Sequence, residues 1–305
     1  MDVGKYELLL KAVEFQNLTK AASALGYTQS GASHVISSIE NELGVSLLRR
    51  DHRGTALTTE GEMMLPAIRE MVACGEKIRA ISQSILGLQI GVLRVAAFSS
   101  ISLLWVPRMI AQFHRKYPNV QVEIVSGTGS YEEMEAYLLT ARVDCSFVRL
   151  PGTGAMQCTP LLHDPLLAVL PPMHPLANAP EPIRFSQLTA EPFLMPTEGK
   201  NYDIRTLFKT FSFEPQVAFT MHDDLSLLAM AENGLGWTIL PGLLLNHYTH
   251  KAAVKRLETN PYRLIGVATR ASQTPSPLVT AFVELALQMA QEFTSKNSIS
   301  IEQPV

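Results

Sequence analysis

The sequence predicts an α/β protein in which two folded parts are joined by one long helix. Three observations carry that prediction. Residues 19–42 read as two short helices separated by a glycine turn, residues 59–86 carry an apolar stripe at alternating steps of 3 and 4, and residues beyond 91 alternate apolar runs with helical segments. A length of 305 residues is a prior for about two domains, and 47% hydrophobic with 17% charged residues is a globular composition with ample core.

In chain order, the first helix spans Tyr6 to Phe15, with Leu8, Leu9, Ala12, Val13 and Phe15 forming an inward stripe. Thr19 is placed to cap a short helix through Ala21, Ala22 and Leu25, which Gly26 ends in the left-handed conformation before Thr28 caps the next. Along that next helix Ala32, Val35, Ile36, Ile39 and Leu43 share one arc, while Gln29, Ser30, Ser33, His34 and Ser37 fill the other. Small alanines let two helices cross closely, and short hydroxyl and amide side chains can read base edges in a major groove. An ordinary helical hairpin with a polar solvent face is the plainer alternative.

The longer run decides between them. Ser33, Ile36, Ile39, Glu40, Leu43, Gly44, Leu47, Arg50, Arg53, Leu57, Thr58 and Gly61, at their spacing, resemble the N-terminal signature of LysR-type transcriptional regulators. The resemblance implies a winged helix-turn-helix over residues 1–58, a linker helix and hinge over 59–90, and a two-lobed, periplasmic-binding-protein-like effector domain over 91–295. Lobe I of that domain is expected at 91–164 and 266–295, lobe II at 165–265, and a frayed tail at 296–305. Gln29, Ser30, Ser33, His34 and Ser37 are then the base-reading candidates, with Arg50 and Arg53 on the wing holding the sugar-phosphate backbone. Acidic side chains outnumber basic ones over residues 1–60, unusual for a DNA-binding module, but Arg49, Arg50 and Arg53 crowd into one loop, and local concentration governs phosphate contact.

Thr59 and Glu62 have capping-box spacing, and from there to Leu86 one helix is expected, kinked at Pro66. Met64, Ile68, Met71, Ile78 and Ile85, with Gly75 and Ser82 as weak positions, form a seam that resembles the helix through which two LysR subunits dimerise. After the hinge GLQIG the runs LRVAAF, VQVEIV, DCSFV, FLMP, QVAFT, GWTIL and LIGVAT alternate with helices, the first of them over Leu103 to Tyr117.

Ligands of such sheets bind beyond the carboxyl ends of strands, where helix N-termini leave free N–H groups. Ser99, Ser100, Thr128, Thr197 and His222 stand at such ends, and the resemblance favours Ser99, Ser100 and Thr128 in particular. Each hydroxyl taken alone is more often a helix cap. Arg149, placed after DCSFV, and Tyr202 with Lys200, just past Thr197, favour a carboxylate effector. No nucleophile elbow, P-loop or HExxH is present, the eight histidines are scattered, and the three cysteines lack disulfide or zinc spacing, so neither catalysis nor a metal is expected.

The expectation is a cytoplasmic regulator without a cofactor, bound to double-stranded DNA and to a small-molecule effector. The opening MDVGKYELLL lacks a basic region followed by an apolar segment, and no run is long enough to span a membrane. The resemblance further implies a homodimer through the linker helix, its assembly to a tetramer, and contact with RNA polymerase. The alternative is a small-molecule binding protein of periplasmic type without DNA binding.

Overall fold

A computed structural model of the chain describes residues 2–51, 54–85, 90–126, 130–197 and 202–296. The chain divides into two compact units, Met1–Gly91 with Thr140–Arg142, and Val92–Leu139 with Val143–Val305.

The first unit opens with α1 (Val3–Phe15), α2 (Leu18–Ala24) and α3 (Gln29–Leu43). Tyr6, Leu8, Leu9, Ala12, Ala21, Ala22, Ala32, Ile36 and Ile39 are buried in one cluster, so the alanines do sit where helices approach closely. Phe15 departs from the expected stripe: it is 39% exposed, because α1 ends there and Gln16 turns away in the left-handed conformation. The cap of α2 is also not Thr19, which lies inside the helix, but Asn17, whose side chain accepts the Lys20 N–H at 3.0 Å. Gly26 turns at φ +73°, and the Thr28 hydroxyl accepts the Gly31 N–H at 3.1 Å to start α3.

A hairpin follows, β1 (Leu48–Asp51) paired antiparallel with β2 (Gly54–Leu57). Two contacts dock it. The Glu40 carboxylate of α3 accepts the N–H groups of Leu47 (2.8 Å) and Leu48 (3.1 Å), and the Thr55 N–H donates to the Gln16 carbonyl at 2.9 Å. Gly54 stands at φ +128° against that same carbonyl, where a Cβ would come within 2.5 Å of the oxygen. Only glycine fits so close an approach.

Helix α4 (Thr59–Ile85) runs through Pro66. Its cap is Thr58 in place of the Thr59–Glu62 box, since the Thr58 hydroxyl accepts the Gly61 N–H at 3.0 Å and donates to the Ser46 carbonyl at 2.6 Å. The apolar stripe is divided between two uses. Ile68 and Val72 are buried in the first unit's core with Met64 and Met71 packed against it, and Gly75 lies against Val3, whose methyl would be 2.9 Å from an added Cβ. Ile78 is 65% exposed. The first half of the stripe is therefore core, and a partner seam is left to the second half. The junction residues 86–89 lie outside the described residues.

In the second unit, β3 (Gly91–Ala96), α5 (Ser99–Leu104), α6 (Val106–Lys116), β4 (Val120–Val125), α7 (Tyr131–Leu139) and β5 (Cys145–Leu150) form a first lobe. The first crossover helix begins at Ser99 and not at Leu103. It is split at Trp105 because Pro107, at the start of α6, has no N–H to continue the ladder. Strand β6 (Met156–Leu170) then leaves this lobe for a second one made of β7 (Pro192–Pro196), α8 (Tyr202–Thr210), β8 (Gln216–Met221), α9 (Asp224–Glu232), β9 (Thr238–Pro241), α10 (Gly242–Leu245) and β10 (Ala253–Lys255). Strand β11 (Tyr262–Arg270) brings the chain back, and α11 (Pro277–Lys296) packs on the first lobe through Phe282, Ala286 and Ala290.

The sheet order is β10-β6-β11-β5-β3-β4, with β3 parallel to β5 and β11 antiparallel to both β5 and β6. One strand serves both lobes, since Met156–Pro165 of β6 pair with β11 while Leu166–Leu170 pair with β9 and β10. Each lobe has its own core, Leu93, Ile101, Met109, Phe113, Phe147 and Phe282 in the first, and Phe185, Phe193, Phe208 and Trp237 in the second.

Candidate functional site

On the first unit the candidate surface is the N-terminal half of α3. Gln29, Ser30, His34 and Ser37 are exposed and Ser33 is half-buried, opposite the buried Ala32, Ile36 and Ile39. The helix thus presents one face of short donors and acceptors, and its positive N-terminal end favours a nearby phosphate. Arg49 is exposed on β1 and its Nε donates to the Leu57 carbonyl at 3.1 Å, a bond that fixes the stem of its side chain along the hairpin. Arg53 and the side chain of Arg50 lie outside the described residues.

The second unit holds a cleft between its lobes, a cavity of about 40 Å³ whose walls include Phe98, Ser99, Tyr131, Asp203, Asp224 and Arg263. Its centre is Arg263, 5% exposed, placed by β11 opposite Asp164 of β6, which is fully buried. Arg263 donates from Nε (2.9 Å) and Nη2 (2.7 Å) to Asp164 Oδ2, and the Leu243 N–H donates to Asp164 Oδ1 at 2.8 Å. Burial pushes the Asp164 carboxyl up; burial alone would lower the Arg263 guanidinium, but Tyr131 and Asp164 outweigh it and its net shift is upward. Every one of these contacts donates to the carboxylate, so the ionised pair is the state that the geometry supports.

The remaining Arg263 donors radiate into the cleft. Nη2 donates to the Ser100 hydroxyl at 2.6 Å and Nη1 to the Tyr131 hydroxyl at 2.9 Å. Tyr131 in turn donates to Asp203 Oδ2 at 3.0 Å, and the other oxygen of Asp203 accepts from Arg149 Nε. Burial raises the Tyr131 pKa, Arg263 opposes that and Asp203 adds to it; the net upward shift keeps the hydroxyl protonated as a donor. Arg149 is held in place by the Tyr202 ring, 4.5 Å from its guanidinium, and Arg263 by Phe98 at 5.1 Å.

Of the residues read from the sequence, Ser99 lines the cavity, while Arg149 and Tyr202 flank Asp203. Ser100 is not at the mouth: it is 1% exposed and its hydroxyl is taken by Arg263. Arg149 lies inside β5, paired with Ile265, because the strand continues two residues past DCSFV. Thr197 and His222 bond to each other at 2.8 Å at the ends of β7 and β8, and the cavity is lined there by Pro196 and Asp224 instead. Thr128 and Lys200 lie outside the described residues.

Tyr131, Asp164, Asp203 and Arg263 escaped sequence reasoning. One signal was available for two of them, a charged residue inside an otherwise apolar strand, as in LLHDPLLAVL and YRLIGVAT. Among the described residues no group of His, Cys, Asp and Glu is arranged to hold a metal ion. Burial pushes the Cys145 and Cys158 thiols up, which makes both poor nucleophiles.

Residues 4–62 match the family of bacterial regulatory helix-turn-helix proteins of the lysR family, and residues 87–291 match the LysR substrate binding domain. The chain is 30% identical over 292 residues to the uncharacterized HTH-type transcriptional regulator YvbU of Bacillus subtilis, covering 95% of this chain and 99% of that one. Among solved structures it resembles full-length OxyR from Pseudomonas aeruginosa, with 22% identity, a TM-score of 0.75, and 100% of this chain and 99% of the other covered. It also resembles full-length CbnR complexed with its target DNA, with 22% identity, a TM-score of 0.67, and 95% and 100% covered. A polar recognition helix beside a hairpin wing, a two-lobed α/β unit with a polar cleft, and matches that span both therefore place this chain in the LysR family, as a DNA-binding transcription regulator that carries an effector-binding domain.

Proposed function

We propose that a small carboxylate bound between the lobes of the second unit controls sequence-specific binding of double-stranded DNA by the first. The observation that carries this reading is the donor set of the cleft: Tyr131 and Arg263 line its cavity with Ser99, and Arg149 stands behind the lining residue Asp203, to which it donates. In this reading Gln29, Ser30, Ser33, His34 and Ser37 face base edges while Arg50 and Arg53 hold the backbone. The protein works in the cytoplasm as a homodimer through α4, assembled to a tetramer, acts on RNA polymerase, catalyses nothing and needs no cofactor beyond the effector. No described helix is long and apolar enough to cross a membrane, which accords with that location.

The experiment is an anisotropy titration on the DNA that flanks the protein's own gene, repeated with a panel of small carboxylates. Nanomolar binding that one carboxylate shifts is the expected result. Arg53→Ala should weaken binding to specific and random DNA alike and reduce its salt dependence, whereas Gln29→Ala should relax preference at one base position. Equal losses on both DNAs for both variants would remove the division of roles.

A further inference from the structure

The donors of the cleft hold a carboxylate in this structure, and it belongs to the protein. Asp203 sits in the first turn of α8, on the second lobe, and is 9% exposed. Among the described residues both partners of its carboxylate, Arg149 on β5 and Tyr131 on α7, lie on the first lobe. Tyr131 is suited to this because its hydroxyl accepts from Arg263, which polarises the O–H it gives to Asp203. The Arg149 guanidinium stays oriented by Tyr202.

We propose that Arg149 and Tyr131 form a carboxylate subsite for the effector, and that Asp203 is its built-in occupant, which a free carboxylate displaces. The charges support a monoanion. Arg263 is neutralised by Asp164 and Arg149 by Asp203, so withdrawing Asp203 leaves the partly buried Arg149 guanidinium without its counter-ion, and one carboxylate restores neutrality. A cationic ligand in the same place meets two guanidinium groups. Because Asp203 comes from the opposite lobe, its displacement releases a tie between lobes, and ligand entry is thereby coupled to their relative position. The inference rests on the reading of the cleft as the effector site and adds the subsite and its competitor.

The test titrates the full-length chain with sodium acetate, against sodium chloride at equal ionic strength and against methylammonium chloride, and follows melting temperature and heat of binding. Asp203→Asn weakens the internal competitor, so its apparent acetate affinity should exceed wild type by at least about tenfold. Adding Arg149→Met to that variant should abolish the gain. Equal or weaker acetate binding by Asp203→Asn overturns the proposal, as does methylammonium stabilising wild type more than the variant. Should Asp203→Asn fail to fold, Tyr131→Phe and Arg149→Met decide the matter at high acetate: loss of the wild-type response in both supports the subsite, and its retention in both overturns it. The titration contains no DNA, so failure of operator binding refutes the regulatory reading without affecting this result.

Discussion

Asp164 and Arg263 show what a single buried charge does in this protein. Each is tolerable because the other is there, with Leu243 N–H, Ser100 and Tyr131 satisfying the remaining lone pairs and donors. Asp164→Ala leaves a buried guanidinium uncompensated, and a loss of about 3–5 kcal/mol in urea unfolding is expected. Replacing both residues by apolar ones of similar volume should recover much of that loss, a double-mutant measurement that separates pairing from packing. Cys145 provides a second residue-scale case. Burial chiefly, with Asp144 adding, raises its thiol above the ordinary value of 9.0, so the folded chain keeps a proton that the unfolded chain gives up. Stability from this group is complete below pH about 9 and declines as pH rises through it. The urea midpoint should fall as pH rises above about 9, and fall less in Cys145→Ala. An identical slope in the two would show that other groups control alkaline unfolding.

At the scale of elements, α3 both carries the polar face and anchors the wing. Glu40 accepts two backbone N–H groups of the segment entering β1, so Glu40→Ala should cost about 1–3 kcal/mol and weaken DNA binding without regard to sequence. Loss confined to one base position would instead place Glu40 at the bases. Helix α4 divides at Gly75, where its packing on Val3 ends the part that belongs to the first core. Ile68→Asp and Ile78→Asp therefore ought to differ in kind. The first buries a charge at a site only 6% exposed and should unfold the first unit, while the second, at a site 65% exposed, should leave a folded chain that no longer dimerises. Light scattering with circular dichroism distinguishes them, and an unchanged oligomer mass in Ile78→Asp would move the seam elsewhere. The sequence pattern alone showed a single stripe here, because core and interface bury apolar side chains at the same helical spacing.

At the scale of the molecule, two units with separate cores give two cooperative transitions. A carboxylate effector at 100 times its Kd stabilises the unit that holds it by about 2.7 kcal/mol. Calorimetry should show the transition of the second unit move upward; movement confined to the first would place the ligand there. Strands β6 and β11 carry this unit's coupling, for they cross between its lobes and set Asp164 and Arg263 side by side at the crossing.

Local order was legible in the sequence wherever a short-range rule governs it. The helix pair followed from periodicity and from Gly26, and the alternation of strands and helices from apolar runs, because each depends on neighbours within a few residues; the wing came with the family resemblance. Helix caps moved by one or two positions, to Asn17 and Thr58, since several hydroxyls and amides compete for the same N–H groups and the backbone angle chooses among them. The cleft followed no such rule. Arg263 meets Asp164 across 99 residues and Tyr131 across 132, and Tyr131 meets Asp203 across 72. Serines at strand ends looked like the binding set because their local setting is visible, yet Ser100 is turned inward by a guanidinium that only the return of β11 supplies. The sequence by itself determined a LysR-type regulator with its recognition helix. Tertiary structure alone decided which charges share the cleft, because burial makes an unpaired charge too costly to keep and the fold selects the distant partner that neutralises it.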